Sequence, residues 1–506
     1  MKKIRNLGLL LLLVAALSCG KNFGDLNIDP NNPNKVPAEY LLTQAEKNLG
    51  YQLTDGQNLL NGGLLFAQYW AQNNYTDESR YLIRPGAVND SWSWWYATVL
   101  YDLREIEKLA PEDQILHPEI ANNQVAVAKI LEAFCFQHMT DTWGPLPYTE
   151  ALLADKNRTP KYDTQKDIYF GIIRDLKSAI AQIDVSAEGF GSGDIVYGPG
   201  GMARWKQFAH ALLLRVAMRM ADVEPGMARD LVETYFAGAF ASNDDNAVFR
   251  WLAGQPNNNP INQHWIDRGD ADFGLSNILI DRTLKPLNDP RLPIWADERQ
   301  GGGGYAGRPY GQNSGHAAGD DISHYSQPSG ASAIRGERGF LPYDLVAPTA
   351  PTVLMHYAEQ CFILAEARER GWTVPGTAES WYNAGITASM QQWGIDDQAV
   401  IDAYLAQQDV AYGTAQGPWN QKIGVQKWLA LFLQGLDGWT EWRHLDFDKL
   451  ELPVDGVIQD VGSKPAPVRL TYPTNEQTQN AGGYQQGVLQ LGGPDKLSTR
   501  LWWDVK

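Results

Sequence analysis

Apolar positions recur at three- and four-residue spacing through most of the chain, so the pattern predicts helices before anything else is weighed. The clearest runs from about Glu119 to Met139, where Val127, Ile130, Leu131, Phe134 and His138 share a face and Gly144-Pro145 stops the chain beyond it. A second, Ala203 to Met220, sets Trp205, Phe208, Ala209, Leu212, Val216 and Met220 in one stripe. Earlier helices are predicted from Pro37-Ala38-Glu39 through Leu49, over Leu59 to Ala71, and over Trp92 to Leu109, the last opening after Asn89-Asp90-Ser91 and ending at Pro111. Later ones fall at Gln165 to Ile183, Ala228 to Phe240, Leu275 to Leu287, Val353 to Arg370, Ala378 to Trp393, Asp397 to Gln407 and Asn420 to Leu436. Their lengths and short connections predict stacked antiparallel pairs without a strict repeat period.

Three stretches depart from this pattern. From Asn243 to Thr352 the chain turns rich in Gly, Pro, Asn and Asp, with Gly301 to Gly304 in a row, and predicts a long loop-rich insertion at about 243–352. Aromatic side chains run through it, among them Trp251, Trp265, Phe273, Trp295, Tyr305, Tyr310, Tyr325, Phe340 and Tyr343. The tail, Pro453 to Lys506, is rich in Gly, Pro and Gln and predicts irregular coil packed on the helices. At the other end, Lys2, Lys3 and Arg5 precede the apolar run Leu7 to Leu17 and then Ser18-Cys19-Gly20. That is a lipoprotein-type signal peptide, residues 1–18, with Cys19 as the lipidated residue. Ala16 stands where a lipobox usually has Leu, which leaves cleavage by an ordinary signal peptidase as the alternative. Residues 19–37 then read as an extended, Pro- and Asn-rich tether, and 38–506 as one helical body.

Charge and composition narrow the partners. The formal charge of -17 becomes about -20 once Lys2, Lys3 and Arg5 are removed, which argues against nucleic acid and anionic headgroups as the main partner. The 18 Trp and 22 Tyr suit cores, protein interfaces and the faces of sugar rings alike, so they do not choose among the three. Cys135 and Cys361 sit in apolar helical patterns and are expected as buried thiols, with a disulfide as the alternative.

Candidate chemistry is sparse. Arg215 and Arg219, and Glu359 and Glu366, sit on helix faces where buried interhelical ion pairs explain them better than a site. A surface glycoside hydrolase would need two convergent carboxylates, and 59 Asp and Glu single out no pair. The histidines show no metal spacing, and Gly311-Gln312-Asn313-Ser314-Gly315 lacks the register of a nucleophile elbow. Asp270-Ala271-Asp272-Phe273-Gly274 resembles a calcium loop, but Asp281 stands where the bidentate Glu belongs, so calcium is unsupported and no cofactor is expected. The sharper expectation is an aromatic platform, because sugars stack their C–H faces on Trp or Tyr while Asn, Asp, Gln and Arg take the hydroxyls. Two regions offer that mixture. One spans Tyr69-Trp70, Gln72, Asn73, Asn74, Tyr75 and Arg80 and continues to Trp92; the other holds Trp265, Tyr305, Arg308, Tyr310, His324 and Tyr325. Within them Trp70, Tyr75, Trp265, Tyr305, Tyr310 and Tyr325 are the candidate ligand-binding residues, while Trp92, Trp95 and Tyr96 read as core.

In collinear order the chain resembles the SusD/RagB family of surface nutrient-binding lipoproteins, and more closely its SusD-like branch. The resemblance rests on Cys19 with Asn27-Ile28-Asp29-Pro30-Asn31-Asn32-Pro33, Asp141 to Pro147, the Trp205 to Arg219 helix, Asp289-Pro290-Arg291-Leu292 and Glu359 to Arg370. It continues through Ile423, Gln426-Lys427-Trp428-Leu429, Gly438-Trp439 to Arg443, and Arg469-Leu470-Thr471-Tyr472-Pro473 with Glu476 and Asn480. His444 departs from it, since many relatives carry a second Arg there. The resemblance implies an all-α fold of tetratricopeptide-like helix pairs, lipid-anchored in the outer membrane and facing the cell surface. It implies a lid on a SusC-like TonB-dependent β-barrel transporter that captures an oligosaccharide, or in some members a peptide, without being an enzyme. A structural lid that only seals the barrel is a third reading.

Overall fold

The computed structural model describes residues 36–54, 63–153, 156–269, 272–456, 460–462 and 464–506. The expected signal peptide, Cys19 and nearly all of the tether lie outside these residues.

The body is all-α, built from tetratricopeptide-like helix pairs. Its first half comprises α1 (Ala38–Thr54), α2 (Pro85–Trp94), α3 (Tyr101–Asp113), α4 (Pro118–Trp143), α5 (Gln165–Gln182), α6 (Met202–Arg219) and α7 (Pro225–Tyr235). A six-residue π-helical stretch, Trp95–Leu100, joins α2 to α3. The loop-rich tract carries β2 (Ala247–Phe249), α8 (Pro260–Arg268), β3 (Phe273–Leu275) and β4 (Thr352–Met355), and β1 (Trp70–Gln72) comes before α2. The second half comprises α9 (Tyr357–Glu369), α10 (Ala378–Gln392), α11 (Gln398–Leu405), α12 (Trp419–Ala430), α13 (Gly435–Leu445), α14 (Thr474–Gln479) and α15 (Ala481–Gln490). Neighbours in sequence pack in space, α3 on α4, α4 on α5, α5 on α6, α6 on α7, α9 on α10 and α12 on α13, while α6 on α9 and α4 on α13 join the halves.

The pattern of apolar spacing is realised most fully in α6, whose predicted stripe, Trp205, Phe208, Ala209, Leu212 and Val216 with Met220 just beyond, is wholly buried. Burying each large apolar side chain stabilises the fold by roughly 1.5–3 kcal/mol, so this one stripe is worth many times the propensity of its residues. Caps set the ends: the Thr164 hydroxyl accepts from Asp167 N at the start of α5, and Gly144 turns the chain at φ +89 after α4. Cys135 and Cys361 are buried free thiols, not a disulfide.

Several expected elements differ. Over the described part of the predicted Leu59 to Ala71 helix the chain makes turns and then enters β1. Gly63, at φ +83, lies so close to Gly435 and Leu436 that a Cβ would meet their backbone at 2.5 Å, and β1 takes its partner from β3. Tertiary pairing overrides the local period here. α2 opens seven residues ahead of the expected start because Pro85 suits the first helical turn, and Pro111 does not end α3. The predicted Ala228 to Phe240 helix starts at Pro225 and ends at Tyr235. The predicted Asn420 to Leu436 helix ends at Ala430, Leu433 sits at φ +72, and α13 begins afresh. The tail is not all coil, since α14 and α15 form within it.

A chain of buried charges ties the two halves. Arg215 donates from Nε and Nη2 to both oxygens of Glu359, at 2.7 and 2.6 Å, and its Nη1 lies 3.4 Å from Asp437. Arg219 pairs with Glu441 at 2.7 Å, which also receives Lys427 at 2.8 Å. Glu366 takes His444 at 2.9 Å and Arg370 at 2.8 Å, so the histidine that departs from the family pattern still fills a salt-bridge position. Burial works to raise the Glu366 and Asp437 carboxyls, but adjacent basic side chains outweigh it and hold both well below the usual range: His444, Arg370 and Lys427 beside the first, Arg215, His138 and Arg219 beside the second. Arg443, whose guanidinium donates mainly to the Asp141 and Val468 carbonyls, is pulled down to about 9 by burial.

Removing one partner of such a pair leaves an uncompensated buried charge. Glu359→Ala is expected to lower stability by about 3–5 kcal/mol in urea unfolding, and a loss below about 1 kcal/mol would show that the pair does not hold the halves together.

Candidate functional site

The two aromatic regions of the sequence meet at a two-stranded ribbon. β1 pairs antiparallel with β3, Trp70 opposite Leu275, Ala71 opposite Gly274 and Gln72 opposite Phe273. Asn73 N continues the ladder to Asp272 O at 2.7 Å, and Arg308 N donates to Leu275 O at 2.7 Å, bringing the 305–327 loops alongside. Ser326 N in turn donates to Ala306 O at 2.7 Å.

Burial sorts the six candidate aromatics. Trp70 and Trp265 are 0% and 1% exposed and pack edge to face at 5.5 Å, with Phe273 at 5.9 Å from Trp70. Tyr310 is 2% exposed and its hydroxyl donates to Leu65 O at 2.6 Å. All three are buried, Trp70 and Trp265 against each other and Tyr310 bonded to the backbone, so the core packing weighed for each aromatic is what these three show. Tyr75, Tyr305 and Tyr325 keep access to solvent. Tyr75 is 67% exposed at φ +51, with the Arg268 guanidinium 5.4 Å from its ring centre. Tyr325 is half-buried, with the Arg308 guanidinium 4.8 Å from its ring and its hydroxyl donating to Asp320 at 3.0 Å. Tyr305 is half-buried against the core. Of the polar candidates, Gln72 is buried on Glu78 and Ser79, Arg80 pairs with Asp77, and Trp92 is core beside Trp143.

In the ribbon Gly274 stands opposite Ala71. A Cβ there would stand 3.6 Å from Asn73 Oδ1, 3.6 Å from Gln327 Nε2 and 3.7 Å from Arg308 Cβ, so three polar side chains converge on one bare backbone position. Gln327 is 3% exposed, and neither its Oε1 nor its Nε2 has a hydrogen-bond partner. Buried amides are rarely left so, which marks the spot as chemically incomplete. Asp272 receives Arg268 and lies 3.3 Å from His264; burial works to raise its carboxyl, but these partners outweigh it and hold it below the usual range. Burial lowers the Arg308 guanidinium.

Arg268, Asp320 and Gln327 were not among the residues expected from sequence. One signal was available: Arg268 and Asp272 stand four apart at the end of a helical run, the spacing of an ion pair, immediately before the aromatic Phe273. Asp270 and Ala271 of the calcium-like loop lie outside the described residues, and among the described residues no three His, Cys, Asp or Glu side chains group as metal ligands. Nor is any described helix long and apolar enough to cross a membrane. A cavity of about 590 Å³ opens elsewhere and is lined by none of the six aromatics.

Fold and loop face together define a helical-repeat scaffold that presents an aromatic, amide-bearing surface on irregular loops. A family model, SusD-like_2, described as "Starch-binding associating with outer membrane", matches residues 30–473, and the chain belongs to that family. Among solved structures it is similar to a chitin-binding protein at 28% identity, with a TM-score of 0.77 over 93% of this chain and 100% of the other. It is likewise similar to a chitin-binding SusD homolog from Flavobacterium johnsoniae at 25% identity and TM-score 0.76, covering 93% and 98% of the two chains. A SusD homolog from Parabacteroides distasonis, at 22% identity and TM-score 0.77 over 93% and 98%, shares the fold. A search of curated proteins gives no match.

The burial contrast predicts opposite responses to the same truncation. Trp70→Ala should cost about 3–5 kcal/mol of stability. Tyr75→Ala should stay within about 0.5 kcal/mol, and equal losses in thermal unfolding would refute the division into floor and surface.

Proposed function

We propose that this chain is a glycan-binding lipoprotein of the outer membrane, facing the cell surface, that hands its ligand to a SusC-like TonB-dependent transporter and performs no chemistry itself. The observation that carries the reading is the loop face, where Tyr75 and Tyr325 keep access to solvent, each with an arginine against its ring, and the Gln327 amide beside Gly274 has no partner. An aromatic ring against a guanidinium is held flat, ready to stack on the C–H face of a sugar. A buried amide with free donor and acceptor suits a hydroxyl, which offers both. The family's description and two relatives described as chitin-binding favour the same ligand class.

Binding without turnover is favoured by the carboxylates on this face. Asp272 is held ionised by Arg268 and His264, the reverse of what a general acid needs, and Asp320 accepts from Tyr325. No cofactor enters the reading. Cys19 supplies the acyl anchor once residues 1–18 are removed, residues 19–37 are the tether, and 38–506 form the binding body with its insertion at about 243–352.

Screening the soluble form that begins after Cys19 on a glycan and peptide array identifies the ligand, and incubation with it tests for turnover. Tyr75→Ala with Tyr325→Ala should weaken glycan binding at least about tenfold, roughly 1.4 kcal/mol, with an unchanged melting temperature. Unaltered affinity, or a hydrolysed ligand, overturns the reading. Cys19→Ala should release the protein from membranes with ligand affinity intact and lose copurification of a β-barrel partner; a protein still membrane-bound refutes the anchor.

A further inference from the structure

The cavity of about 590 Å³ is bordered by the start of α6, the 243–250 segment with β2, the 341–353 loop entering β4, the end of α10 and the turn between α12 and α13. Its size is that of a small-molecule site. Its walls are unfinished. Gln434, 8% exposed, has no partner for Oε1 or Nε2, and Gln392 Oε1 and Trp393 Nε1 are buried with none either. All three residues line the space. Four unpaired polar atoms on residues that line one cavity cost stability that the fold does not recover internally, and such groups in native proteins are met by ligand or water.

The backbone tells the same story. Leu433 and Tyr343, both lining residues, sit at φ +72 and +69, a region that L side chains adopt at a cost and that recurs at binding sites. Tyr343 is 47% exposed, and its ring lies so close to Gly394 that a Cβ there would be 2.4 Å away. It thus stands at the mouth with one face held. Trp393 is fixed from behind by Trp295 at 5.6 Å and Phe432 at 6.2 Å.

Lining charges balance, Arg204 and Arg250 against Asp244 and Asp344, so nothing selects an ion. What remains unsatisfied is an amide donor and acceptor, an amide acceptor and an indole donor beside an aromatic ring. Hydroxyl groups on a ring with an apolar face match that set.

We propose that this cavity is a second, separate binding site for a neutral oligosaccharide, with Gln434 as its central hydrogen-bonding group and Tyr343 as the stacking ring at its mouth. The site shares no residue with the Tyr75 and Tyr325 face and goes beyond the function proposed for that face.

The test uses protein carrying Tyr75→Ala and Tyr325→Ala, titrated calorimetrically with maltotetraose, cellotetraose and tetra-N-acetylchitotetraose. At least one probe is expected to bind with a stoichiometry of one, and Gln434→Met and Tyr343→Ala, added separately, should each weaken it at least about tenfold. Without ligand, Gln434→Met should melt no lower than its parent, since it fills the same volume and removes two unpaired atoms. If the loop-face reading alone fails, wild-type binding ignores Tyr75 and Tyr325 yet falls with Gln434→Met. No binding of any probe to the loop-face variant, which would mean a cavity holding water only, overturns the proposal. So does binding indifferent to both cavity substitutions.

Discussion

Two arginines on α6 are buried among carboxylates that come from distant parts of the chain, and the stacking of the helix pairs depends on their being met. Taking a guanidinium out of water costs several kcal/mol, recovered only when a carboxylate stands in the right place. For Arg215 that place is supplied by Glu359 on α9, with Asp437 on α13 behind it; for Arg219 it is Glu441, shared with Lys427 on α12. A slip of one helix turn would strand several charges at once. We take the network as the reason this arrangement of helices, among many that would bury the same apolar stripes, is the one formed.

A frame fixed in this way leaves the loops free to specialise. The β1 and β3 ribbon is only three residues wide, yet it joins a stretch before α2 to the loops of the long insertion, which neither could reach by local structure. Trp70 and Phe273 of the ribbon, with Trp265 and Tyr310, are buried. Tyr75 is exposed and Tyr325 half-buried, each with an arginine against its ring. Buried and solvent-accessible aromatics thus stand on the same short segments, the usual division between a stable core and the loops around it.

Much of this was legible from the order of residues. The α4 and α6 helices follow from their apolar spacing, and buried ion pairs at Arg215, Arg219, Glu359 and Glu366 follow from charges set beside buried faces, though not which partner each takes. Strands of three residues carry no alternating signal, so the sequence pattern runs a helix through to Ala71 and leaves the partner strand within the loop-rich tract. α14 and α15, built on Thr, Asn, Gln and Gly, have almost no apolar period of their own; α14 is held against α2 by packing. Tryptophan and tyrosine suit interior and surface equally, so which of the six aromatics would face solvent was settled only by what packed behind each. Trp70 and Tyr75 are five residues apart and end in opposite environments.

The most direct measurement is a crystal structure of the protein bound to whichever oligosaccharide it captures from a glycan array. The account predicts sugar rings stacked on Tyr75 or Tyr325, with hydroxyls on Gln327. A bound sugar elsewhere that leaves both rings bare and the Gln327 amide unpaired would contradict it.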